Sequence, residues 1–336
     1  MSRVSLRRIG LRRMRSWLGR SSGTEQAVRS ARNAVKYRLG KSVTRRDFYA
    51  SRGNGSDRFG LYGIGGCDVL TVVKAGPRLA KLFPGSVCVT AVGKAPQTRS
   101  DLLLQTLDPP SPELTAEVME RLSLDPAYFT PRLFEREFSV PHQAGLGRFP
   151  KNVVVLSISA DASRTLYRHR EHGYLVDPGG WWLTTDMQAV LNDLSSVKWF
   201  AATFKKVGRI GVAESMDNFA KLVTLVRQRT GAFVIAMNVL TVDPGLTAMD
   251  YDPIGGPPRA RRREFAIAMA ELGRTLEFPV IDIDRLAKQE GISGQADFVH
   301  YTLDQKRLVA QELVDVLQDH EIIGAAAGRR QPAGVA

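Results

Sequence analysis

The chain of 336 residues has few cysteines and no long apolar run. Its two cysteines, Cys67 and Cys88, are too few for the disulfide framework that holds small secreted domains together. This cysteine usage favours a reducing compartment, so we expect a cytoplasmic protein. No stretch reaches the roughly 18 consecutive apolar residues that a membrane-spanning helix needs. The hydrophobic content of 43% is typical of a soluble protein. A chain of 336 residues is long enough to bury a full hydrophobic core.

Positive charge is concentrated at the start of the chain. Residues 1–57 contain 15 Lys or Arg residues and only three acidic ones, so they hold +12 of the total formal charge of +13. The remaining 279 residues are almost neutral. A nucleic-acid-binding fold would carry its own basic face, so we expect no specific nucleic-acid partner.

The first 20 residues show a basic amphipathic pattern. At about 100° per residue, five apolar side chains fall on one side of a helix: Val4, Leu11, Met14, Trp17 and Leu18. Such a helix can lie on an anionic membrane, so we expect residues 1–20 to make weak peripheral contact with a membrane surface. In the cell this surface would be that of the inner membrane. An organellar transit peptide, a disordered tail and an upstream start codon that is not the real one are the alternatives.

Residues 58–323 show apolar strand-like runs that alternate with helical patterns. The predicted strands are 59–64, 86–95, 153–159, 233–240 and 280–283, and the predicted helices are 69–83, 99–107, 114–122, 185–206, 215–229, 259–276 and 303–319. This alternation predicts a three-layer α/β/α sandwich with a central parallel sheet. Residues 108–150 form a proline-punctuated insertion. The basic arm 1–57 precedes this domain, and a disordered tail, 324–336, follows it.

The segment 164–182 is rich in arginine, histidine and aromatic residues. His169 and His172 have a spacing that can hold a metal on a helix face. The neighbouring arginines disfavour a cation, and no Cys or acidic pair stands beside the histidines, so we expect no metal site. Two interpretations stay open: a solvated surface helix, and a basic patch for an anionic substrate or cofactor such as a phosphate-bearing acyl donor.

Asp297 and His300 stand three residues apart, just before a predicted helix. A carboxylate at this spacing can orient an imidazole, which gives a general base that needs a nucleophile. Cys67 is the candidate nucleophile, because it follows a predicted strand and a glycine pair and precedes a helix whose N-terminus favours the thiolate. The alternatives are a histidine that caps the helix start and a small buried cysteine that fills a turn.

Small and polar residues also follow the other predicted strands. Ligands of parallel sheets bind at the carboxyl ends of the strands. We therefore expect one site in which Cys67 is accompanied by oxyanion-stabilising or substrate-binding residues: Gly66, Gly93, Ser159, Asp161 and Asn238. The alternative is that any α/β chain carries such residues where its strands end.

Four of these places occur in an order that resembles the SGNH or GDSL-type hydrolase superfamily. Gly65-Gly66-Cys67 stands where those enzymes carry Gly-Asp-Ser, and Gly93 where they have an oxyanion-hole glycine. Strand 153–159 leads to Asp161, where the family has the asparagine of Gly-x-Asn-Asp, and residues 297–300 match the closing Asp-x-x-His. The resemblance covers about residues 59–320 and implies an SGNH-hydrolase-like domain of flavodoxin-like topology.

The chain departs from the family pattern at three positions. Cys67 replaces the serine, Ser159 a glycine and Asp161 the asparagine. In having Gly-x-Cys, the chain resembles divergent relatives associated with capsule or exopolysaccharide production more than lipolytic esterases.

The resemblance implies acyl chemistry without a cofactor. Cys67 would attack an ester or thioester carbonyl, and His300, oriented by Asp297, would take the proton. The substrate would be a small-molecule or carbohydrate ester, or an acyl-thioester donor; water as acceptor gives an esterase and a sugar hydroxyl an acyltransferase. The second hypothesis is a non-catalytic binding or scaffold protein of surface-polysaccharide biosynthesis, because an anionic Asp161 would repel an oxyanion.

Overall fold

The structure is a computed structural model, and it describes part of the chain. The described residues are 48–51, 57–65, 68–69, 86–92, 98–122, 124, 126–134, 151–178, 191, 194–241, 259–290 and 301–323. Residues 1–20, the segment that we expect to contact membranes, and the tail 324–336 lie outside them.

Strands and helices alternate along most of the described residues. The strands are β1 (Phe48–Ser51), β2 (Asp57–Ile64), β3 (Ser86–Val92), β4 (Lys151–Ser157), β5 (Leu166–His169), β6 (Leu175–Val176), β7 (Phe204–Gly208), β8 (Phe233–Met237) and β9 (Val280–Ile281). The helices are α1 (Ser100–Gln105), α2 (Pro112–Leu122), α3 (Ser159–Ser163), α4 (Leu194–Thr203), α5 (Val212–Thr230), α6 (Arg259–Thr275), α7 (Ile283–Glu290) and α8 (Leu303–Asp319). Two 3₁₀ turns, Pro126–Phe129 and Arg132–Phe134, follow α2.

Six strands form the main sheet, in the order β1-β3-β2-β4-β8-β9. All neighbours pair in parallel except β1, which runs antiparallel to β3 at the edge. Counted along the chain, the five parallel strands have the order 2-1-3-4-5, which is the flavodoxin-like order, and the order reverses between β2 and β4. The predicted parallel sheet and its topology are confirmed.

Helices cover both faces of this sheet. In β4, Val154 and Leu156 pack on one side with α5 and α6, through residues such as Phe219 and Phe265. Val153 and Val155 face the opposite way, because side chains alternate along a strand, and they pack with α7 and α8. The apolar run in β4 is thus buried on both faces, as the interior strand of a three-layer α/β/α sandwich requires.

The predictions for residues 164–206 are partly wrong. The solvated surface helix is instead a hairpin, in which β5 and β6 pair antiparallel, and β7 pairs with β5 to complete a small second sheet. The predicted helix to Lys206 ends at Thr203, and β7 begins with the next residue. The physical reason is Phe204, which is buried and stacks on Phe200 at a ring distance of 4.9 Å.

The main sheet includes residues that we assigned to the basic arm. In β1, Phe48 pairs with Ala91 and Ser51 with Cys88, and β2 begins at Asp57. A truncation that leaves the sheet complete must therefore start before Phe48. None of the helices in the described part of the chain has both the length and the apolar character of a membrane span.

Candidate active site

The predicted catalytic residues Cys67, Asp297 and His300 lie outside the described residues. So do Gly66 and Gly93, which were predicted to stabilise an oxyanion or bind substrate. The structure does describe Ser159, Asp161 and Asn238. It also describes β2, β3, β4 and β8, the strands after which the predicted oxyanion, substrate-binding and nucleophile residues follow.

These strands end at one edge of the main sheet. In β2, β4 and β8, Ile64 is the register partner of Leu156, and Ser157 that of Met237. Cys67 follows the last residue of β2 by three positions, and Gly93 directly follows β3. The parallel pairing therefore places the carboxyl ends of these strands side by side, which is where ligands of open α/β sheets bind.

Ser157, the last residue of β4, joins this edge to the turn after β2. Its hydroxyl donates a hydrogen bond to the carboxylate of Asp68, which is only 1% exposed. The backbone N–H of Ser159 donates to Ser157 Oγ at 3.0 Å, and the two serine hydroxyls lie 3.0 Å apart. From the sequence, Asp68 is predicted to cap the start of the following helix. Its contact with Ser157 could not be predicted, because the two residues are 89 positions apart in the chain.

Asn238 lies directly after β8 and braces the neighbouring strand end. Its side-chain amide donates to Asp282 Oδ1 at 3.0 Å, and its Oδ1 accepts from the backbone N–H of Ile283 at 2.8 Å. The amide is therefore hydrogen-bonded to Asp282, which connects β9 to α7, and to Ile283, the first residue of α7. Its role in substrate binding stays a prediction.

Asp161 lies on α3 and is buried between helices. Ser100 donates to it through its backbone N–H, at 2.7 Å, and through its hydroxyl; Ser215 Oγ donates at 2.6 Å. Burial raises the pKa of Asp161 to about 6, although these hydrogen bonds lower it. The contacts give Asp161 a packing role that joins α1, α3 and α5. Its predicted role in oxyanion or substrate binding stays a prediction.

A third buried carboxylate, Asp177, lies after β6. It accepts hydrogen bonds from Thr98 Oγ1 at 2.6 Å and from the guanidinium of Arg164. The adjacent Arg99, which is 1% exposed, binds Asp101 through two nitrogens and donates to the carbonyl of Gly208 at 2.6 Å. The only signal of this network in the sequence is the polar run Thr98-Arg99-Ser100-Asp101 ahead of three leucines.

The chain matches no family model and no curated protein. A lipase/acylhydrolase from Enterococcus faecalis is similar in structure, with 14% identity over 79% of this chain and 96% of that chain and a TM-score of 0.39. A GDSL-like lipase from Bacteroides thetaiotaomicron has 12% identity over 87% and 98%, with a TM-score of 0.37. An alpha/beta hydrolase from the metagenome of Lake Arreo, Spain, has 11% identity over 78% of this chain and 95% of that chain, with a TM-score of 0.35.

The likeness is weak. At these identities and TM-scores it assigns neither a family nor an activity to this chain. The fold class stated above follows from the strand order and the helix layers of the structure itself.

His169 and His172 lie in and after β5, at the turn of the hairpin. His169 Nδ1 accepts from the backbone N–H groups of Glu171, at 3.2 Å, and His172, at 3.1 Å. Burial and the neighbouring His172 lower the pKa of His169. Within the described ranges, no group of three or more His, Cys, Asp or Glu side chains could hold a metal ion. The basic-patch interpretation of this segment stays a prediction.

Proposed function

We propose that this protein is an SGNH-like hydrolase or acyltransferase that acts on an ester or thioester through Cys67 and the Asp297–His300 pair. One observation carries the proposal. Cys67 directly precedes Asp68 in the chain, and the carboxylate of Asp68 accepts a hydrogen bond from Ser157 at the end of β4. The strand order of the sheet reverses at this point, between β2 and β4. Such a reversal opens the crevice in which open α/β sheets bind their ligands.

The general base has a comparable anchor. His300 directly precedes Tyr301 in the chain. Tyr301 is buried and belongs to the same hydrophobic cluster as Leu61 of β2 and Met237 of β8. The base and the nucleophile thus both adjoin residues fixed against the same sheet. In the proposal Asp297 accepts a hydrogen bond from the imidazole and holds its orientation.

The chemistry has two halves. The sulfur of Cys67 bonds to the acyl carbon while His300 takes the thiol proton, and backbone N–H groups at Gly93 and residue 67 stabilise the oxyanion. The bond to the leaving alcohol or thiol then breaks, and His300 protonates that group. Water or a sugar hydroxyl attacks the acyl-enzyme thioester next and gives its proton to His300. The carbon–sulfur bond then breaks, the acid or the new ester leaves, and His300 returns the proton to the sulfur of Cys67. The proposed substrate is a small-molecule or carbohydrate ester, including polysaccharide, or an acyl-thioester donor.

We expect Cys67→Ala and His300→Ala each to lower turnover by about 10³-fold or more, because each removes a group that the chemistry requires. The measurement is hydrolysis of a panel of acyl esters and acyl thioesters, with and without a sugar acceptor. Circular dichroism checks that each variant is folded. Cys88→Ala is the matched control and should keep turnover. Full activity of Cys67→Ala would refute the proposed nucleophile.

A non-catalytic binding or scaffold function in surface-polysaccharide biosynthesis is the alternative. The buried contacts of Asp161 favour it, because they occupy both carboxylate oxygens at the position where the resembled family has its oxyanion-hole asparagine. Tight binding of a sugar or an acyl carrier without any turnover in the same panel would support this alternative.

The basic arm supports a proposal of its own, namely that the protein is cytoplasmic and lies peripherally at the inner membrane surface. We expect the full chain to co-sediment with anionic vesicles at low salt and to dissociate at high salt, since each Lys or Arg near such a surface contributes about 1 kcal/mol that salt screens. A chain that starts at Asp47 keeps β1 and should not bind. Equal binding by both chains would show that the arm is not the contact element.

A further inference from the structure

Asp68 is the described residue next to the proposed nucleophile, and it is tied to the neighbouring strand. Its carboxylate accepts from the hydroxyl of Ser157, which in turn accepts from the backbone N–H of Ser159 at 3.0 Å. The Ser157 hydroxyl therefore links the backbone N–H of Ser159 to the carboxylate of Asp68. All three side chains are buried.

Gly65 shows that the same two strand ends are in close contact. A Cβ added at Gly65 would lie 2.8 Å from Ser157 Cβ and 2.6 Å from Val69 Cγ2. Side chains do not approach this closely, so Gly65 itself packs directly against Ser157 and Val69. Residues 65 and 68 are thus both anchored at Ser157, one on each side of the Gly66-Cys67 dipeptide.

We propose that Asp68 is a positioning residue for Cys67, held in place by Ser157 and carrying a negative charge on the residue that directly follows the proposed nucleophile. The inference rests on the proposed function, because it assigns Cys67 the role of nucleophile. A turn fixed at both of its ends restricts where the thiol can point, and a displacement of about 1 Å at a reacting group can cost about 100-fold in rate.

The charge of Asp68 has a chemical consequence. An ionised carboxylate in the adjacent residue disfavours a thiolate and therefore opposes the effect of the helix N-terminus, which favours one. The other titratable groups assigned to this site are His300 and Asp297, while Ser157 and Ser159, which face Asp68 from β4 and α3, are uncharged. In this arrangement His300 takes the proton as the carbon–sulfur bond forms, and a preformed thiolate is not needed.

The charge is tested by the pH dependence of Cys67 alkylation. Iodoacetamide is added to the full chain, and peptide mass spectrometry separates Cys67 from Cys88. Asp68→Asn keeps an oxygen that can accept from Ser157 but removes the charge, so the midpoint of the pH–rate profile should fall by about one pH unit. Asp304→Asn, at an exposed position of α8, is the control and should leave the midpoint unchanged.

The positioning role is tested by turnover of Asp68→Ala and Ser157→Ala. Each should lower kcat by about tenfold or more while KM stays within about twofold, because the substrate still binds but the nucleophile is misplaced. Asp68→Asn should retain most of kcat. An unchanged alkylation midpoint in a folded Asp68→Asn variant, or unchanged kcat in a folded Ser157→Ala variant, would overturn the inference.

Failure of the proposed function gives a different result. If Cys67→Ala keeps full turnover, Cys67 is not the nucleophile, whatever the alkylation profiles show. If the wild-type chain turns over no ester or thioester, alkylation still decides whether Asp68 acts on the Cys67 thiol.

Discussion

Replacing Asp177 with alanine is expected to lower the free energy of unfolding by about 3–5 kcal/mol, the usual cost of removing one partner of a buried ion pair. Asp177 is completely buried, and the side chain of Arg164 is 12% exposed. Burial alone would lower the pKa of Arg164, but Asp177 and Tyr128 raise it overall, so the guanidinium stays charged. Without Asp177 the charge of Arg164 loses its carboxylate partner, and the hydroxyl of Thr98 loses its acceptor. Urea unfolding at neutral pH measures the loss.

An exposed ion pair gives the control for this experiment. Asp304 and Arg307 pair at 2.8 Å on the surface of α8, with 73% and 65% of their side chains exposed. Asp304→Ala should change the free energy of unfolding by less than about 1 kcal/mol, since water already solvates both charges. The double variant Asp177→Ala/Arg164→Met should recover part of the loss, because no buried charge is left unpaired. A loss below about 1 kcal/mol in Asp177→Ala would contradict the buried pair.

Asp161→Asn is expected to remove a pH dependence of stability. The pKa of Asp161 is raised from 3.8 to about 6 by burial, so the folded state holds this proton more tightly than the unfolded state. The stability that the protonated form contributes is complete below about pH 4 and is lost as the pH rises through 6. For a shift of about two pKa units the loss is about 3 kcal/mol. The amide in the Asp161→Asn variant cannot titrate, and it can still accept from the backbone N–H of Ser100 and donate to the two serine hydroxyls.

The measurement is urea unfolding of both proteins at intervals between pH 4 and pH 7.5. The difference in unfolding free energy should move in favour of the variant by about 3 kcal/mol as the pH rises, because only the wild type must ionise a buried carboxyl group. Asp304→Asn removes an exposed carboxylate and serves as the comparison. Its unfolding free energy should not rise relative to that of the wild type as the pH increases. A difference that stays constant with pH, or moves in favour of the wild type, would show that Asp161 is not protonated preferentially in the folded state.

Local patterns in the sequence were sufficient for the layers of the fold. The apolar run Val153–Leu156 can be buried on both faces only inside a parallel sheet that helices cover on each side, and the structure has this arrangement. Helix α8 begins and ends where the sequence predicts. At its start Thr302 accepts from the N–H of Gln305, and the Gln305 side chain accepts from the N–H of Thr302, a capping box that needs only neighbouring residues.

Residues far apart in the sequence decided what the patterns missed. The segment Lys205-Lys206 looks like the end of a helix, yet it is a strand, because Arg168 and Tyr167 pair with these residues across the second sheet. The strand is fixed by backbone pairing with a distant segment and by burial of Phe204, and neither leaves a periodic signal in residues 185–206.

The same division holds at the candidate site. The sequence by itself singled out Cys67, Asp297 and His300, because a nucleophile after a strand and an Asp-x-x-His before a helix are local patterns. The tertiary structure alone showed that Asp68 meets Ser157 and that Asp161 meets Ser215, pairs that are 89 and 54 positions apart. Hydrogen bonds between such residues depend on strand order and helix packing, which bring the ends of separate elements together at one edge of the sheet.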